Sequence, residues 1–255
     1  MAFEERIVPG RFAGRTMIVT GAGAGIGRAV ALRAAHEGAR VVATDVSEER
    51  LRDLRDSHAD LGLAIVVGDV GEEADVARIV AAAEGRADAL VNNAGIMDRF
   101  APVHEVDDAT WTRVMRVNVD GVMRMSRAVV PLMLAARSGA IVNVSSEAGL
   151  RGSAAGVAYT ASKHAVIGIT RASAVIYGPQ GIRVNAVAPG ATRTSIVAEW
   201  GSPMAQGRLG PLMQANVGGV AEPEELAAVI TWLASDDASN VNGAILPSDG
   251  GWSAI

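Results

Sequence analysis

The sequence predicts a single doubly wound α/β domain, a parallel sheet of about seven strands with helices on both faces. Three observations point to it. Short β-branched runs alternate with longer amphipathic stretches along all 255 residues. The runs are apolar throughout rather than alternately polar, as in parallel strands buried on both faces. No linker-like or low-complexity stretch, and no repeat of roughly 20 to 50 residues, interrupts them. Right-handed crossovers then follow from the alternation.

The strand candidates are "TMIVT" (16–20), "RVVAT" (40–44), "LAIVV" (63–67), "ALVNN" (89–93), "AIVNVS" (140–145), "RVNAV" (183–187) and "AILP" (244–247). Helical stretches run over 26–38, 72–85, 109–134, 158–177 and 223–235. Composition is that of a water-exposed protein with a sizeable core: 49% hydrophobic, 20% charged, net charge −5 with scattered arginines, so no nucleic-acid partner is expected. No apolar run reaches the roughly 18 residues of a membrane span, and the N-terminus is acidic where a signal peptide would be basic. With no cysteine, and four histidines lacking zinc-ligand spacing, neither disulfide nor catalytic metal is expected. The expected address is the cytoplasm.

"TGAGAGIG" (20–27) joins the first strand to the first helix. Glycines there allow a tight turn and let the backbone approach a pyrophosphate, which the helix N-terminus attracts. The pattern is T-G-x-x-x-G-x-G, with Ile26 where the commoner fingerprint ends in glycine. The loop marks a Rossmann-like dinucleotide site. Asp45 ends the second strand 20 residues after Gly25. A carboxylate there accepts from both ribose hydroxyls and repels a 2′-phosphate, favouring NAD over NADP. Arg28, just after the loop, is the reservation, since its guanidinium would suit a phosphate.

Lys163 is the only lysine among 23 basic side chains, and Tyr159, one of two tyrosines, lies four residues before it. On a helix the two share a face. A phenol titrates near 10, and bringing it to about 7 takes roughly 4 kcal/mol, much of which a fixed ammonium would provide. Ser146 ends the fifth strand 13 residues before the tyrosine, where a hydroxyl would hold a carbonyl or alcohol oxygen. Ser145 competes for that role.

With these motifs in order, and "GDV" (68–70), "NNAG" (92–95), Asn118, "RVNAVAPG" (183–190) and "SDGG" (248–251) between and after them, the chain resembles a short-chain dehydrogenase/reductase of the compact single-domain type. The resemblance runs from about Arg15 to Trp252. It implies Tyr159 as acid/base, Lys163 as its activator and ribose ligand, Ser146 as substrate holder and Asn118 as support of a proton-relay water. It implies a cofactor site formed by Gly21, Gly25, Ile26, Gly27, Asp45, Asp69, Val70, Asn93, Ala94, Gly95, Pro189, Gly190, Thr192 and Thr194. Asp69 would meet the adenine amino group and Thr194 the carboxamide or a phosphate. The family is commonly tetrameric, so a homotetramer is expected.

These implications make the chain an NAD-dependent oxidoreductase of a moderately apolar secondary alcohol or ketone. An NADPH-using 3-oxoacyl-thioester reductase and a non-catalytic NAD sensor are the alternatives. A lid is expected over 195–220, a loop with glycine hinges presenting Trp200, Met204, Leu209, Leu212 and Met213. Met97, Phe100 and Leu150 would add apolar wall, and Glu147 and Arg151 polarity.

Overall fold

Period-two alternation shares each inner strand between two cores. In the computed structural model, which describes residues 3–194 and 199–254, Met17 and Val19 of β1 (Thr16–Thr20) join one apolar cluster and Ile18 the other. The remaining strands are β2 (Arg40–Asp45), β3 (Ala64–Val67), β4 (Ala89–Asn92), β5 (Gly139–Val144), β6 (Ile182–Pro189) and β7 (Ile245–Ser248). They form one parallel sheet in the order β3-β2-β1-β4-β5-β6-β7. The chain thus winds outward from β1 in one direction and then from β4 in the other. That reversal opens a crevice past the carboxyl ends of β1 and β4, where such sheets bind ligands.

Helices α1 (Gly25–His36), α2 (Glu48–Asp56) and α8 (Pro223–Ala234) supply one cluster. Helices α3 (Glu73–Ala81), α5 (Gly121–Ala136) and α6 (Val157–Tyr177) supply the other. Fully enclosed side chains such as Leu90 and Ile141 each contribute about 1.5–3 kcal/mol by leaving water.

The stretch predicted as one helix over 109–134 proves to be α4 (Asp108–Met115), a π-helical turn (Arg116–Asp120) and α5, with helical backbone at both joins. The wider turn carries Asn118. Helix α2 is capped by Ser47, whose side chain accepts the Arg50 N–H at 3.3 Å. The helix expected to reach residue 85 stops at Ala81, and Glu84 and Gly85 turn left-handed.

The largest departure is in the lid. Its segment 195–198 lies outside the described residues, but Pro203–Asn216 is a helix, α7, not a loop. Ser202 caps it by accepting the Ala205 N–H at 3.2 Å, and Pro203 fits its first turn, where a missing N–H costs nothing. These start signals outweigh Gly207, Gly210 and Pro211 inside it.

Candidate active site

A crevice of about 510 Å³ lies at the reversal point, lined by residues including Gly21, Gly25, Ile26, Asp45, Asp69, Val70, Asn93, Ala94, Gly95 and Thr194. Ten of the fourteen sequence-predicted cofactor residues are therefore brought together, whereas Gly27, Pro189, Gly190 and Thr192 are not in its lining. A second cavity, about 430 Å³, opens at the amino ends of β1, β4, β5 and β6 among Arg11, Arg15, Asp88 and Asp236. Its charges pair with one another, Arg15 reaching Asp236 at 3.0 Å and Asp88 at 3.7 Å.

The glycine loop is built as its spacing demands. Gly21 and Gly25 take φ of 65° and 53°, conformations that cost a side-chain-bearing residue free energy. At Gly27 a Cβ would lie 2.1 Å from the Gly21 carbonyl oxygen and 2.4 Å from Asn93 Nδ2. The Asn93 amide donates to the carbonyls of Thr20 and Gly21 at 3.0 and 3.2 Å. Thr20 Oγ1 in turn accepts the N–H groups of Asn93 and Ala94, both at 3.0 Å. Asn93 is thus a brace for the loop, and its side chain is spent there.

Asp45 sits on the rim, its carboxylate accepting the Gly23 N–H at 3.0 Å and the Ser47 N–H at 2.9 Å. A carboxylate has about four acceptor sites, so this one keeps capacity for a diol. Arg28 pairs with Asp53 at 2.9 Å. Arg50 lines the crevice instead. Asp69 accepts the Gly71 N–H and holds Arg116, each at 2.8 Å. Val70 packs so close to Gly121 that a Cβ there would meet it at 2.6 Å. Thr194 stands over Gly25, 3.1 Å from where a Cβ would project. Pro189 ends β6, and Gly190 presses on Asp249 while its N–H donates to Ser248 at 3.1 Å. Thr192 lies beside Ala221 and donates its hydroxyl to the Gly190 carbonyl at 3.2 Å.

Tyr159 and Lys163 occupy one face of α6, with Nζ 5.4 Å from the ring centre. The ammonium donates to the Val144 carbonyl at 2.8 Å. The Ser146 hydroxyl accepts the Ala148 N–H at 3.1 Å and acts to lower the pKa of the Tyr159 phenol. Ser145 donates to the Lys163 carbonyl at 3.0 Å, tying β5 to α6. Asn118 accepts the Ile96 N–H and donates to the Ile96 carbonyl, both at 2.9 Å, and to Ser162 at 3.0 Å. Gly95 has room for nothing larger: a Cβ would lie 3.4 Å from both Asn118 Oδ1 and Lys163 Nζ. Asn118 and Lys163 therefore face one another across Gly95, at the ends of β4 and β5.

The electrostatics differ from the sequence expectation. Burial pushes the Tyr159 phenol up to about 12, the Ser146 hydrogen bond opposes that rise, and the Asp98 charge adds to it. Burial also pulls Lys163 down to about 8. The expected lowering of the phenol is absent in the bare protein because both groups are desolvated, and desolvation penalises phenolate and ammonium alike.

On the substrate side, Tyr159, Met97, Met213 and Val217 pack on a cluster of Ala148, Ala154, Ala155 and Trp252. Met213, named for the lid, and Met97, named for the apolar wall, join this cluster, whereas Met204 points outward, 64% exposed. Phe100 is buried against Trp200, ring centres 4.3 Å apart, and so anchors the lid rather than facing a substrate. Glu147 is enclosed and pairs with Arg151 at 2.9 Å, and Arg151 donates to the Ser253 carbonyl. Trp252 and Asp98 were missed in the sequence. Asp98 is 2% exposed and binds three backbone N–H groups; the one hint was a lone acid in the apolar run "GIMDRF". Among the described residues no group of acidic or histidine side chains is arranged for a metal, and no helix is long and apolar enough to cross a membrane.

Comparison with known proteins places this geometry among relatives. A family model described as "Enoyl-(Acyl carrier protein) reductase" matches residues 21–253. The cis-4-hydroxycyclohexanecarboxylate dehydrogenase of Sinomonas cyclohexanicum is 47% identical over 251 residues, 96% of this chain and 98% of its own. The 3beta-hydroxysteroid dehydrogenase 2 of Eggerthella lenta is 41% identical over 253 residues, 95% of this chain and 96% of its own. A crystal structure of levodione reductase superposes with a TM-score of 0.87 at 38% identity, covering 96% of this chain and 99% of that one.

Proposed function

The chain belongs to the short-chain dehydrogenase/reductase family, and from that premise we propose that it moves a hydride between a moderately apolar secondary alcohol and NAD. The class of reaction, between CH–OH and C=O groups, is that of its relatives. The observation that carries the finer reading is the placement of the Lys163 ammonium one helical turn from Tyr159, with Nζ 5.4 Å from the ring centre.

The crevice fits a dinucleotide: Gly21, Gly25 and Gly27 let the loop fold tightly where a Cβ would press on Asn93, Ala94, Thr194 or the Gly21 carbonyl, and Asp45 waits on the rim. When bound, the nicotinamide supplies the hydride acceptor or donor, chemistry the side chains lack. The protein's own part is proton handling and orientation. Ser146 holds the substrate oxygen beside the phenol. Tyr159 takes the hydroxyl proton as the alcohol is oxidised and returns it to the carbonyl oxygen in reduction. Lys163 and Asn118, facing each other across Gly95, support that proton from behind. Met97, Met213, Val217 and Trp252 exclude water from the substrate end.

Asp45 favours NAD because its charge repels a 2′-phosphate. An NADPH-linked 3-oxoacyl-thioester reductase is the second reading, favoured by a 39% identical relative, the 3-oxoacyl-[acyl-carrier-protein] reductase of Thermotoga maritima, and by Arg50 on the crevice wall. A homotetramer is in keeping with the apolar side chains left exposed on α6, Val175 at 79% and Ile176 at 64%. Turnover of a panel of cyclic and linear secondary alcohols with NAD and with NADP tests the proposal. It expects activity with NAD on cyclic apolar members, and an NADP preference on every substrate would overturn the NAD assignment.

A further inference from the structure

Helix α6 carries both Tyr159 and Lys163, yet its own N-cap, Gly156, has no side chain to close its first turn. An α-helix start leaves several N–H groups without partners. Here the partner comes from another part of the chain. Asp98, six residues past the end of β4, accepts the Gly156 N–H through Oδ1 at 3.1 Å and the Tyr159 N–H through Oδ2 at 3.0 Å. Its Oδ1 also takes the Phe100 N–H at 3.0 Å, and the adjoining Val157 N–H donates to the Ala101 carbonyl at 3.1 Å. Gly156 is glycine for a spatial reason: a Cβ would lie 2.5 Å from Asp98 Oδ2.

We propose that Asp98 is the positioning residue of the catalytic tyrosine, its carboxylate fixing the height and rotation of the first turn of α6 and holding a negative charge at the backbone N–H of Tyr159. The inference rests on Tyr159 being the proton-transfer group.

The charge matters because little screens it. Asp98 is 2% exposed, and among the described residues no cation pairs with it. Its compensation is three N–H groups and the positive end of a 21-residue helix. The groups around the phenol are few. Lys163 comes from α6 itself, the uncharged Ser146 from the segment after β5, and Asp98 from the segment after β4. The lid helix and the C-terminal turn bring only Met213, Val217 and Trp252. Glu147, next to Ser146, is turned to Arg151 and Asp249. Asp98 thus bonds the backbone N–H of Tyr159 while Lys163 Nζ lies 5.4 Å from its ring centre. Burial disfavours phenolate most, and the Asp98 charge adds to that. The arrangement favours a phenol that keeps its proton until substrate and cofactor are in place.

Two variants separate position from charge. Asp98→Asn keeps the shape and two of the three acceptor contacts while removing the charge. The midpoint of the pH profile of kcat for alcohol oxidation should move down by about 0.5 to 1 pH unit, with NAD affinity unchanged. Gly156→Ala keeps the charge and displaces the carboxylate. It should lower kcat on the order of tenfold, again without change in NAD affinity. Assaying Tyr159→Phe alongside tells failures apart. An inactive Tyr159→Phe together with an unshifted Asp98→Asn profile overturns the charge assigned to Asp98, and wild-type kcat in Gly156→Ala overturns its positioning role. An active Tyr159→Phe overturns the proposed function and this inference together.

Discussion

Around the ends of β1, β2 and β4, the crevice is held by backbone and by short polar side chains bonded to backbone: Asn93 to Gly21, Asp45 to Gly23, Thr20 to Ala94. Around β5, β6 and the C-terminal turn, outside that lining, side chains on separate elements pack together: Tyr159, Met213 and Trp252 in one apolar cluster, with Glu147 and Arg151 paired. The first region suits a ligand whose shape does not vary, and its sterics admit almost no substitution. The second packs through larger, adjustable groups and leaves a surface that can be changed without dismantling the fold. Fixed cofactor geometry and adaptable substrate contacts thus reside on opposite sides of one sheet reversal.

Equivalent changes in the two regions should therefore have unequal effects, and glycine offers the widest contrast. Gly27→Ala drives a methyl group to 2.1 Å from the Gly21 carbonyl oxygen. It should cost about 1–3 kcal/mol of stability and weaken dinucleotide binding on the order of 100-fold, about 2.7 kcal/mol, read by calorimetric titration. Near-normal binding would mean that the loop tolerates a shift its contacts deny.

A smaller effect is expected at Glu147. Burial raises its carboxyl from 4.5 to about 7, with Arg151 opposing and Asp249 adding to the shift. Between those values the folded chain keeps a proton that the unfolded chain has lost. Stability from this group is therefore highest below pH 4.5, falls as pH rises to about 7, and stays reduced above it. Glu147→Gln removes the penalty. Thermal unfolding at pH 8 should show the variant more stable by roughly 1–3 kcal/mol, with little difference at pH 4.5. An equal change at both pH values would show that packing, not charge, decides the matter.

The smallest effect belongs to the lid. No heavy atom lies within 4 Å of where a Cβ at Gly207 would project, and the residue sits inside α7. Gly207→Ala should stabilise the chain by about 0.5–1 kcal/mol and leave dinucleotide affinity unchanged. A loss of stability there would argue that α7 needs its glycines.

The same contrast explains what could be read from the sequence. Seven strands, their parallel pairing and the glycine loop after β1 were legible, because apolar runs and glycine spacing encode local geometry. The placement of Tyr159 and Lys163 on one face of α6 was legible too, since helical spacing sets it. Desolvation was not legible. Spacing puts Lys163 beside Tyr159 but says nothing of how far water is excluded, and the phenol of the bare protein titrates above 10 rather than below. Asp98 reaches Tyr159 across 61 positions in sequence, and Trp252 closes on Ala148 from the far end of the chain. Such contacts leave no periodic trace. Helix α7 was hidden by Gly207, Gly210 and Pro211, whose poor helix propensity is overridden by the Ser202 cap and by the packing of Ala205 and Met213.

The central claim is that the Tyr159 phenol carries the proton that accompanies hydride transfer. Single-turnover oxidation of an active secondary alcohol, followed through nicotinamide absorbance in the wild type and in Tyr159→Phe, addresses it most directly. Loss of the chemical step by about 10²–10⁴-fold, with NAD affinity retained, is the predicted result. A Tyr159→Phe protein that transfers hydride within about threefold of the wild-type rate would contradict it.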